Sequence, residues 1–141
     1  MNWKLIFLLS LFGLAMGIAT VFVIPSNIEP VFWLLVFCIC AYIIARQQSS
    51  GHFVHGLMLS IVNSVWVTGS HLLLFAAYAA NHPQQMEMMQ SLPLPNHPRR
   101  MMLLIGPIVG VLSGLVLGLF AWIAGKLVKP AGHTGAAATE V

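Results

Sequence analysis

Fixed charge is sparse in this chain, six Lys or Arg and three Asp or Glu in 141 residues, and the gaps between those charges constrain the fold more than any motif does. In hydrocarbon the backbone must satisfy its own N–H and C=O groups, so a long uncharged apolar stretch becomes a helix. A bilayer core about 30 Å thick takes roughly 20 helical residues at about 1.5 Å each. Four stretches of that order lie between Lys4, Glu29, Arg46, Glu87, Arg99, Arg100 and Lys126. With 59% apolar residues and a mean hydropathy of +0.91, the composition lies outside that of soluble domains. The expected class is all-α: an integral membrane four-helix bundle in one domain over residues 1–130, followed by a disordered tail over 131–141 rich in Ala, Gly and Thr.

Span one is expected from about Leu5 to Ile24, ended by Pro25 and Ser26. Its apolar run is longer than a signal-peptide core, so it reads as a retained helix. Span two, about Val31 to Ala45, is short and needs flanking residues, about 29–46, to cross. Span three covers about Phe53 to Ala80, and span four about Met101 to Gly125 with Pro107 as a potential kink. Trp3, Trp33, Tyr42, Tyr78 and Trp122 fall near expected helix ends, where amphipathic rings favour the interface; Trp66, at mid-span, does not. Lys4, Arg46, Lys126 and Lys129 lie on one side and Arg99 with Arg100 on the other, which puts both termini in the cytoplasm by the positive-inside bias. The connection from Asn81 to Arg100 then faces outward.

Span four carries Gly106, Gly110, Gly114 and Gly118 at four-residue spacing, and span one carries Gly13 and Gly17. Small residues let helix backbones approach closely, which matters in lipid because no hydrophobic force drives helices together there. Two outcomes follow: the stripes pack against each other inside the bundle, or span four associates with a second copy or another membrane protein. Span three is polar along one side. At 100° per residue Gly56, Ser60, Asn63, Ser64, His71 and Tyr78 share about a third of its circumference, and such a face should turn inward. These residues either link helices by hydrogen bonds or line a site. No carboxylate is expected within a span, which argues against a carboxylate proton relay.

In the outer connection the tripeptide Asn-His-Pro occurs at Asn81 to Pro83 and again at Asn96 to Pro98, with Met86, Met88 and Met89 between the copies and Met101 and Met102 after. Thioether and imidazole suit Cu(I), with His82, His97 and Met86 as candidates. Equally, Asn and Pro stop one helix and start the next, with the methionines on a short interfacial helix. The favoured expectation is no metal and no cofactor; spans one, two and four contain no His for a bis-histidine haem. No nucleophile elbow, phosphate loop or His-Glu-x-x-His helix occurs, so no enzyme is expected. The scattered net charge of +3 does not suit nucleic acid. Cys38 and Cys40, two residues apart on a helix, point to different faces; they are expected as buried apolar side chains without a disulfide.

The run from Gly51 to His82, with Asn63-Ser64-Val65-Trp66, His71 and its closing Asn-His-Pro, together with Gly106-Pro107 and the glycines after it, resembles a group of small bacterial inner-membrane proteins of no known activity. The resemblance covers most of the chain except the tail. It implies a bacterial inner-membrane location and no particular substrate or partner. The expected role is structural, accessory or self-associating, through glycine-mediated packing; the alternative is a small transporter or channel using the polar face of span three.

Overall fold

The computed structural model describes residues 1–131 and contains six helices. These are α1 (Trp3–Phe22), α2 (Glu29–Gln47), α3 (His52–Leu73), α4 (Phe75–Asn81), α5 (Pro83–Gln90) and α6 (Pro98–Leu127). The tail expected over 131–141 falls, from 132 on, outside the described residues. Helices α1, α2, α3 and α6 are each long and apolar enough to cross a bilayer, as the charge gaps require. Large hydrophobic side chains stand exposed along them, among them Phe7, Leu8 and Leu11 on α1 and Leu104, Ile108, Leu112 and Leu115 on α6. Exposure on this scale is foreign to a water-soluble surface.

The expected limits change in three places. Span two is a full helix of 19 residues, about 28 Å long at about 1.5 Å per residue. Pro30 sits in its first turn, where a missing N–H does no harm. Span three is two helices, because Leu74 (φ −103°, ψ 29°) leaves the helical region and separates α3 from α4. The break follows the Gly69-Ser70 pair by one turn, a composition at which helices bend. Span four starts earlier than expected, at Pro98, and runs for 30 residues.

Both Asn-His-Pro copies start a helix in the same way. His82 (φ −129°, ψ 61°) precedes α5 and His97 (φ −132°, ψ 61°) precedes α6, each with a proline opening the helix. A residue before proline is driven out of the helical region, so the repeat is explained by the backbone alone.

Helix α3 is the centre of the molecule, with α1 packed along one flank and α6 along the other, while α2 leans mainly on α6. The two glycine stripes therefore do not meet. A Cβ on Gly13 would strike the Asn63 side chain and one on Gly17 would lie 3.0 Å from the Val67 Cα; on α6, one on Gly110 would strike Ser64 and one on Gly118 would lie 2.9 Å from the Phe53 carbonyl. Every one of those partners is on α3. The closest approach to backbone is at Gly56, whose added Cβ would come within 2.8 Å of the Gly118 Cα. Backbone meets backbone there, and dispersion at this range is a main source of helix association in lipid.

Cys40 is buried and Cys38 exposed, so the expectation that both are buried is correct for one. Mid-span Trp66 is explained by its N–H, which donates to Ser10 Oγ at 3.0 Å, while Ser10 donates to the Phe7 carbonyl at 2.8 Å.

Candidate functional site

Helix α2 is buried along only half its length. Val36, Cys40, Ala41, Ile44 and Ala45 are covered, and nothing before Val36 is. Its first two turns stand away from α3 and leave a cavity of about 630 Å³, within the range that holds small molecules. One wall comes from α2 (Glu29, Trp33, Phe37), a second from α3 (Ser60, Ser64, Thr68, His71) and a third from α6 (Met102, Gly106, Gly110, Ser113). Tyr78 of α4 and Gln85 and Met89 of α5 line the end nearest the loops.

Away from the loops the space is filled. Leu59 of α3 and Leu117 and Ala121 of α6 are fully buried against Cys40 and Ile44 of α2, and Phe37 meets Phe120 edge-on at 6.5 Å. The contact between Gly56 and Gly118 seals the same half. The cavity is thus one-sided, wide between the loop-proximal halves of α2, α3 and α6 and closed below them.

The polar face expected on span three turns inward but does not act as one unit. Ser60 donates to the Gly110 carbonyl at 3.0 Å, tying α3 to α6 across the cavity wall. Ser64 donates back to Ile61 of its own helix at 2.8 Å. Asn63, 3% exposed, packs on Gly13 of α1, and neither its Oδ1 nor its Nδ2 has a partner. An unpaired buried amide costs about 1 to 3 kcal/mol.

His71, Tyr78 and His82 form a ladder of stacked rings, with centroids 4.3 Å and 4.4 Å apart. The break at Leu74 brings these rings together. Thr20 of α1 lies 3.2 Å from the Gly17 carbonyl and 2.9 Å from His71 Nε2. Both contacts are satisfied when the hydroxyl donates to the carbonyl and accepts from Nε2–H. His82 Nδ1 lies 3.1 Å from the Tyr78 carbonyl, which can only accept, so Nδ1 carries a proton, while Nε2 is buried without a partner. Asn81 donates to the Val21 carbonyl at 2.8 Å and anchors the ladder to α1.

Glu29 overturns the expectation that no carboxylate lies within a span, because it opens α2 and lines the cavity. Its Oε1 accepts from Trp33 Nε1–H at 3.0 Å. Trp33, Thr68 and Met102 also belong to the wall; by sequence Trp33 was marked only as an interfacial ring and Met102 only as a thioether beside the outer connection, and Thr68 was not marked. The spacing of Glu29, Trp33 and Phe37, four residues apart, could have found the α2 wall. Of the residues weighed for metal, Met86 packs with Met89 against a cluster of Tyr78, Met102 and Val21, while His97 is exposed. Among the described residues no three His, Cys, Asp or Glu side chains converge.

No protein family, curated protein or solved structure matches the chain.

Proposed function

We propose that this chain is a multi-pass protein of a bacterial inner membrane, with both termini cytoplasmic, that binds a small amphiphilic molecule in the one-sided cavity between α2, α3 and α6. The cavity itself carries the reading. It has polar groups on three helices, among them Glu29 on α2, Ser64, Thr68 and His71 on α3, and Ser113 on α6, set in walls that are mostly apolar. Polar groups in hydrocarbon are expensive and mark binding sites and pathways. The closed half beneath favours a binding protein or carrier over a channel, which needs a continuous path. Glycine-mediated self-association loses support, because α3 occupies both stripes within one chain. The positive-inside bias places the open end outward.

Photolabelling tests the reading. A diazirine-bearing long-chain alcohol, added to the full chain in lipid nanodiscs, is expected to mark peptides around Ser64 to His71 and Met102 to Ser113 in a saturable manner. Labelling spread evenly over exposed residues such as Leu8, Leu11 and Leu112, with no enrichment at the cavity, would overturn it.

A further inference from the structure

Among the described residues that line the cavity, Glu29 is the one side chain of fixed charge. No Lys or Arg answers it there; Arg99 instead lies over the Phe75 ring, 4.9 Å from its centroid. Glu29, Trp33 and Phe37 follow one another at four-residue spacing and so share one face of α2. Trp33 and Phe37 pack edge to face, with centroids 6.0 Å apart, and both rings line the cavity. Aromatic faces carry negative quadrupole charge and attract cations, most strongly where water is scarce. An acid in the first turn of a helix is favoured by the helix dipole wherever it points. The dipole does not explain why this acid faces a mostly apolar cavity with aromatic rings one and two turns along the same face.

Resting on the reading of the cavity as a ligand site, we propose that its ligand is a lipophilic monocation, such as a quaternary ammonium, a phosphonium or a protonated aromatic amine. Glu29 supplies the counter-charge. Trp33 and Phe37 supply the aromatic surface, and one cation of drug size suits a volume of about 630 Å³.

Tetraphenylphosphonium and tetraphenylborate, nearly equal in size and shape and opposite in charge, make the test. Saturable binding of each to the full chain is measured in zwitterionic nanodiscs, with empty nanodiscs subtracted. The cation is expected to bind about tenfold or more tighter than the anion. Glu29→Gln, whose amide oxygen still accepts the Trp33 N–H, is expected to weaken cation binding by about tenfold, while Glu87→Gln on α5 leaves it unchanged. If Glu29→Gln fails to fold, Phe37→Leu keeps apolar volume, removes one ring face and is expected to weaken the cation selectively. Equal binding of both ions, wild-type affinity in Glu29→Gln, or an equal loss in Glu87→Gln would each overturn the proposal. So would the absence of binding by either ion, in which case saturable photolabelling by the neutral alcohol would still uphold the cavity reading.

Discussion

Two glycines on α3 separate close packing from glycine content. An added methyl on Gly56 would meet backbone atoms of Leu117 and Gly118 at 2.8 Å, whereas one on Gly69 would meet nothing within 4 Å. Backbone cannot rotate away as a side chain can, so Gly56→Ala has to push α3 and α6 apart and is expected to lose about 1 to 3 kcal/mol. Gly69→Ala only removes backbone freedom from the unfolded chain and is expected to gain about 0.5 to 1 kcal/mol. Thermal unfolding of the two variants in the same detergent checks this, and equal melting temperatures would contradict the packing described. Ser60 and His71 make the interhelical bonds that a polar face predicts. Asn63 lies on that face too, but its unpaired amide against Gly13 depends on how closely α1 approaches α3, which no local pattern contains.

At the scale of helices, the four-residue glycine repeat announced a surface of close approach without naming its partner. Four glycines of one stripe cannot state whether α1, α3 or another molecule lies opposite. The structure places Gly114 opposite Ser60, whose Cβ is 3.3 Å from an ideal Gly114 Cβ, close to the separation of Cβ atoms across a disulfide. In a background with Cys38 and Cys40 replaced by Ala, oxidation of Ser60→Cys/Gly114→Cys is expected to give an internal crosslink that shifts monomer mobility on a non-reducing gel. Disulfide-linked dimers formed by Gly114→Cys alone would show that the stripe faces a second copy instead. Span three illustrates a similar limit. Its apolar length read as one helix, and the bend at Leu74 that stacks Tyr78 between His71 and His82 has no proline to announce it.

The whole molecule has two unlike halves, a loop-proximal half that holds a cavity and a distal half that is filled. This asymmetry predicts one-sided access. With native cysteines replaced, Thr68→Cys on the cavity wall is expected to react with a small membrane-impermeant thiol reagent applied from the loop side of sealed proteoliposomes. Leu59→Cys, fully buried in the packed half, is expected to react from neither side. Labelling of Leu59→Cys would indicate a continuous pore.

Four long apolar helices were legible in the sequence alone, because uncharged stretches of that length can satisfy their backbone hydrogen bonds within a single helix. The inward polar face of α3, the close-contact glycines and the start of α5 and α6 at Asn-His-Pro were likewise local consequences of residue type. Tertiary structure alone decided that α3 is the hub, that both glycine stripes pack on it, and that α2 leans on α6 with only its far half. The cavity follows from that lean. Its acidic and aromatic wall is assembled from residues whose chemistry was visible but whose direction was not, since helical periodicity fixes which residues share a face and only packing fixes what that face meets.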